Sequence, residues 1–247
     1  MLTAKMSPHL NLSPRRRWCA AACGFVGLVL WMILGQGCAS PKIGANELER
    51  SAAQQLRDGK VDESLKGFRK ALAADPNSLL ARVGIANCHA RKGDSVRFEA
   101  AAIGAAAAAP RSVEGWFQVG IMYVQGAERF RRTPRSRIYA ELGVGYLRSV
   151  FATEPNRRGL IESLGVGLIL KEDARTAVLL LAEAHRRQPL RLELTHAYLV
   201  ALRKTGSKKE ARRVLAKLQS SRGDLPANWR ALSHWAESDD GDEAAGS

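Results

Sequence analysis

The sequence predicts an all-α chain, an α-solenoid of about five helix–turn–helix repeats closed by a C-terminal capping helix. Three observations predict it. Pro76 is followed by Pro110, and Pro155 by Pro189, each at a spacing of 34. Each of these prolines ends an Ala- and Leu-rich amphipathic run: "FRKALAADP", "AIGAAAAAP", "LRSVFATEP" and "LAEAHRRQP". Gly59, Gly93 and Gly206 recur in phase inside the units. A proline just past a helix stops it, because it lacks the N–H and crowds the residue before it. Self-similarity at this period marks stacked helix pairs, since one pair alone cannot bury its apolar face.

The first 37 residues stand apart from the repeats. Arg15, Arg16 and Arg17 precede an uncharged run from Trp18 to Leu34, and no acidic residue occurs before Glu47. A positive flank, an apolar middle and small residues at the exit form a secretory signal. The run sits at the lower edge of the about 17 residues that cross a bilayer, and Gly24 and Gly27 weaken it further. The stretch "LGQGCAS", 34–40, resembles the lipobox of bacterial lipoproteins. Gly37 and Cys38 match that pattern, and Ala39 and Ser40 suit the positions after it. Leu34 lies one position further out than usual, and Gln36 replaces a small residue. The resemblance implies that the Cys38 sulfur takes a diacylglycerol, that the chain is cut before it, and that the new amino group is acylated. Several acyl chains anchor stably where one does not. Residues 1–37 are therefore expected to be a lipoprotein-type signal and 38–44 the lipidated cysteine with a tether. An uncleaved anchor helix and an ordinary cleaved signal remain alternatives.

The whole chain carries a formal charge of +14 from 38 basic and 24 acidic residues. Four of the basic residues lie before Cys38, so the chain from there on has 34 against 24, or +10. Such a charge permits an acidic partner or an anionic surface. No aromatic-interleaved basic strand accompanies it, and nucleic acid is not expected as a partner. Cys19 and Cys23 lie in the apolar run, which leaves Cys38 and Cys88 and no disulfide framework or zinc cluster.

The repeats follow in order. Residues 45–78 carry Gly59, Phe68, Ala71 and Pro76. Residues 79–112 carry Ile85, Ala86, Gly93, Ala105 and Pro110. The third unit, 113–157, opens with "WFQVGIMY", giving Trp116, Gly120 and Tyr123. Residues 158–191 carry Leu164, Gly165, Ala177, Leu181, Ala184 and Pro189, and 192–225 carry Tyr198, Gly206, Ala211 and Leu215. "PANWRALSHW", 226–235, reads as the cap. These positions resemble the tetratricopeptide repeat (TPR) family. That resemblance implies a right-handed superhelix whose first helices line a concave groove for a peptide or protein. Pro110 to Pro155 is 45, eleven more than the repeat. The excess falls near "GAERFRRTPRSR", 126–137, and predicts a basic loop and a lengthened second helix over 134–153, with Thr133 as N-cap. The end, 236–247, is acidic and without an apolar run, and is expected to be disordered.

Catalytic patterns are missing. "LGVGYL" and "LGVGLI" lack the further glycine and preceding strand of a phosphate-binding turn, and read as helix packing. The histidines from Cys38 on, His89, His185, His196 and His234, form no metal spacing, and Cys88 beside His89 points about 100° away on a helix. No cofactor, metal or catalytic residue is expected, and an envelope hydrolase is the distant alternative. The TPR pattern turns positions 2, 5, 9 and 12 of each first helix into the groove. Counted from 79, 113 and 158, it implies Asn87, Phe117, Ile121, Val124, Glu162, Val166 and Ile169, edged by Arg91, with Phe117 as the anchor for a partner. Val83 stands where the carboxylate-clamp members have Lys. The expected function is a membrane-anchored TPR lipoprotein scaffold or assembly factor in the bacterial cell envelope. Its partner would be a protein or peptide there, and its membrane contact the lipid on Cys38. Ala39, where Asp would retain a lipoprotein inside, favours the periplasmic face of the outer membrane. An uncleaved single-pass inner-membrane adaptor is the alternative.

Overall fold

The computed structural model describes residues 41–223 and 225–238. The expected signal, Cys38 and the end of the acidic tail lie outside the described residues. The tether expected over 38–44 is already helical from Pro41, a residue suited to the first helical position.

Eleven α-helices and one 3₁₀ turn, with no strand, make up the described residues. They pair as α1 (Pro41–Arg57) with α2 (Val61–Ala74), α3 (Leu79–Arg91) with α4 (Ser95–Ala108), and α5 (Val113–Arg129) with α6 (Arg135–Thr153). Next come α7 (Leu160–Leu170) with α8 (Ala174–Arg187) and α9 (Leu192–Lys204) with α10 (Lys208–Arg222). The cap is a 3₁₀ turn (Ala227–Trp229) running into α11 (Arg230–Glu237). From α3 on, each first helix also packs on the next first helix, α3 on α5, α5 on α7 and α7 on α9. This continuous row of first helices is what makes the stack an α-solenoid.

Local chemistry sets the helix ends. The side chains of Ser78, Asp94, Ser112 and Asp173 accept from the backbone N–H of Ala81, Arg97, Gly115 and Thr176 at 3.0, 3.0, 3.1 and 3.3 Å. These oxygens satisfy N–H groups that have no partner within the helix. Pro76, Pro110, Pro155 and Pro189 each fall two residues past the end of a second helix. The turns inside repeats one, two and five reverse through Gly59, Gly93 and Gly206, with φ of +80°, +74° and +69°. The fourth repeat places Glu172 at the same point with φ 71°, a conformation that glycine adopts without strain and glutamate does not.

Small residues face large ones between helices. A Cβ on Gly84 would lie 2.5 Å from the ring of Phe68, and one on Gly165 2.7 Å from Leu181. The middle of the stack is aromatic. Phe98 is fully buried, with its ring centroid 5.0 Å from that of Tyr139 and 5.5 Å from that of Phe130.

The third repeat differs from the expectation in how it takes up its eleven extra residues. α5 is four residues longer than α3, α6 is five longer than α4, and the turn between them is two longer, which makes up the eleven. Both helices grow, not the second alone. Thr133 is not the N-cap: its hydroxyl donates to the carbonyl of Phe130 at 2.9 Å, and Pro134 occupies the cap position without a side-chain bond. The physical reason is Phe130, which is buried against Phe98 and Tyr139 and pins the turn to the core.

Candidate functional site

The first helices line two adjoining hollows. The larger, about 1050 Å³, lies along α1, α3 and α5. Its floor includes Leu56, Leu80, Val83 and Asn87, and its rim Arg57, Arg91, Arg129, Arg131 and Arg132. The smaller, about 520 Å³, lies along α5, α7 and α9 and is closed by Pro226 and Trp229 of the cap. Ile121, Gln125 and Glu128 line both hollows, so the two form one groove.

The expected groove residues divide four ways. Asn87 and Arg91 line the first hollow, Val124, Glu162 and Val166 the second, and Ile121 both. Phe117 and Ile169 line neither. Phe117 is 9% exposed, and the guanidinium carbon of Arg157 sits 4.3 Å from its ring centroid. Arg157 is held in place by Glu114 and by Glu154 at 2.9 Å. Phe117 is therefore covered by a cation–π contact and lies outside the groove in which the expectation placed it. Ile169 is half-buried and packs on the core instead.

Several lining residues are additional to that set. Ala53 and Leu56 on α1, Leu80, Val83 and Ala90 on α3, and Glu193 and His196 on α9 all face the groove. The same count of 2, 5, 9 and 12, started at 45 and 192 and completed at 79, names every one of them. Trp229 has no such signal. It reaches the groove because the chain folds back after α10, bringing its ring centroid 5.5 Å from that of His196.

The two hollows differ in charge. The first is rimmed by five arginines, and the second is lined by Glu128, Glu162 and Glu193. Glu162 pairs with Arg191 at 2.8 Å. Burial holds the His196 imidazole below its ordinary value, with Glu128 opposing the shift.

The remaining candidate chemistry is structural. Cys88 is fully buried, and burial pushes its thiol up. Its Sγ lies 3.4 Å from the Ser64 hydroxyl, which donates to the carbonyl of Ala52 at 2.8 Å. Burial disfavours the thiolate, the reactive form of a cysteine, and leaves the sulfur no access to a substrate. The Gly-x-Gly segments are helical and pack closely, a Cβ on Gly143 meeting Val124 at 2.8 Å and one on Gly167 meeting Val144 at 2.9 Å. Among the described residues, no group of three or more His, Cys, Asp or Glu is placed to hold a metal ion.

This architecture, paired helices with a row of first helices along a groove, defines a class of repeat proteins, and solved structures of that class superpose on it. TTC0263, a thermophilic TPR protein of Thermus thermophilus, gives a TM-score of 0.56 at 20% identity, over 78% of this chain and 97% of its own. Pseudomonas aeruginosa pilF gives 0.59 at 17% identity, over 80% and 85%. MamA of Desulfovibrio magneticus RS-1 gives 0.54 at 15% identity, over 76% and 100%. No protein-family model matches the chain, and no curated protein matches it. The fold is the tetratricopeptide-repeat fold.

Proposed function

We propose that the chain is a membrane-anchored lipoprotein of the bacterial cell envelope that acts as a protein–protein interaction scaffold or assembly factor. The complexes it would serve are of the pilus, secretin, outer-membrane or cell-wall type. One observation carries the binding reading. The first helices present a continuous groove that mixes exposed apolar and charged side chains on a well-packed frame. Such a surface suits capture of a polypeptide, and the reading assigns it no catalytic step. Among proteins of similar fold, Cut9 forms a hetero-tetramer with Hcn1, at a TM-score of 0.54 and 19% identity to this chain. The envelope reading rests on "LGQGCAS" behind an arginine-flanked apolar run, and Ala39 favours the outer membrane.

Lipidation at Cys38 is tested by intact mass of the membrane-extracted protein. The expected result is loss of residues 1–37 and a gain of acyl mass, with Cys38→Ala shifting the chain out of the membrane fraction. An uncut N-terminus, or a Cys38→Ala variant unchanged in size and location, would instead identify an uncleaved inner-membrane adaptor.

A further inference from the structure

We propose that the hollow along α1, α3 and α5 takes an acidic polypeptide segment of a partner protein, gripped by Arg91, Arg131 and Arg132. This rests on the binding reading above and supplies the chemistry of its partner. Five arginines line this hollow, against one acid, Glu128, among the described lining residues. Nearby arginines are already engaged: Arg135 pairs with Glu99, and Arg137 with Glu172 at 3.2 Å. Arg129 is also engaged, its Nε and Nη2 donating to the carbonyls of Ala90 and Arg91 at 3.3 and 3.0 Å. Arg91, Arg131 and Arg132 are exposed and have no ion-pair partner among the described residues.

The charges stand on a fixed frame. Phe130, immediately before Arg131, is buried, and Thr133, immediately after Arg132, bonds back to it. Like charges converging on a concave surface repel one another, and a bound anion relieves that repulsion. The planar guanidinium matches a carboxylate with two parallel hydrogen bonds. The floor sets a second requirement. Leu80 is 45% exposed beside Val83, and the side-chain oxygen of Asn87 is buried without a hydrogen-bond partner. The segment therefore carries an apolar side chain among its carboxylates and offers Asn87 a polar contact. The adjoining hollow is lined by Glu193 and by Glu162, which is already paired with Arg191, and among the described residues by no arginine or lysine, so the acidic stretch finds its counter-charges in the arginine half.

The test is fluorescence anisotropy with the full chain in detergent. The probe is a labelled peptide of about twelve residues, alternating Glu pairs with Leu, which reaches about 40 Å when extended at about 3.3 Å per residue. Its Lys counterpart is the control peptide. The acidic probe is expected to bind, the Lys probe not, and added salt to weaken the complex. Arg131→Glu with Arg132→Glu, and separately Arg91→Glu, should each weaken binding about tenfold or more at unchanged helicity. The charge-matched pair Lys209→Glu with Arg212→Glu, exposed on α10, should leave it unchanged.

Equal weakening by the α10 pair would overturn the proposal, since net charge alone would then explain binding. Tighter binding after deletion of 239–247 would make the chain's own acidic end the occupant. Loss of binding to phosphatidylglycerol vesicles, with peptide binding intact, would make the arginines a lipid contact. If the acidic probe fails to bind wild type while Val166→Glu still abolishes partner capture, this inference falls and the binding reading stands. If variants in neither hollow affect partner capture, the binding reading falls as well.

Discussion

Replacing Phe98 with alanine is expected to lower stability by about 3–5 kcal/mol, the range for deleting a buried aromatic side chain. Phe98 has no exposed surface and joins α4 to α5 and α6 through Phe130 and Tyr139. Its ring also rests on Gly126, where an added Cβ would lie 2.1 Å from the ring. Gly126→Leu should therefore destabilise from the opposite direction, by overpacking. In a stack where each repeat touches only its neighbours, such damage opens the middle first. Urea unfolding would measure the loss, and hydrogen exchange should show α4 to α6 opening before α9 and α10. A Phe98→Ala variant within about 1 kcal/mol of wild type would show that the aromatic cluster does not hold the middle of the stack.

Trp229→Ala is expected to cost about 3–5 kcal/mol by the same mechanism, and it should also change the groove. Trp229 is 3% exposed, belongs to the core of the C-terminal repeats and forms one wall of the smaller hollow. Terminal units of a solenoid cover the apolar face that the next repeat would have covered. Loss of this side chain should loosen α11, whose Leu232, Trp235 and Ala236 are buried, and expose His196. Increased protease cleavage near 223–230 and a lower melting temperature are the expected readouts. A variant as stable and protease-resistant as wild type would show that the cap is an appendage and not a wall.

Most of the fold is legible in the sequence because its determinants are local and periodic. Pro76, Pro110, Pro155 and Pro189 mark the ends of second helices through one backbone rule, and the glycines mark turns through another. Glu172 hides the fourth turn from that second rule, since it takes the glycine conformation without being glycine. The candidate site is legible only in part. Ile121, Val124, Glu162 and Val166 face the groove as helical counting implies, because the row of first helices is regular. Phe117 fails because its cover, Arg157, comes from forty residues away and is fixed by Glu114 and Glu154. Trp229 is missed for a similar reason, as a chain reversal carries no periodic signal. The eleven-residue excess is visible as a length, but its division between α5, the turn and α6 depends on where Phe130 finds a pocket.

The central claim is that the concave row of first helices captures a partner protein. Photo-crosslinking tests it most directly, with a benzophenone side chain placed at one position at a time in cells. Gln118 and Val166 report on the groove, and Leu179 and Ile138, 75% and 58% exposed on second helices, report on the other side. The account predicts one discrete crosslinked protein from Gln118 and Val166, and none from Leu179 or Ile138. Crosslinks from Leu179 and Ile138, with the groove positions silent, would contradict it.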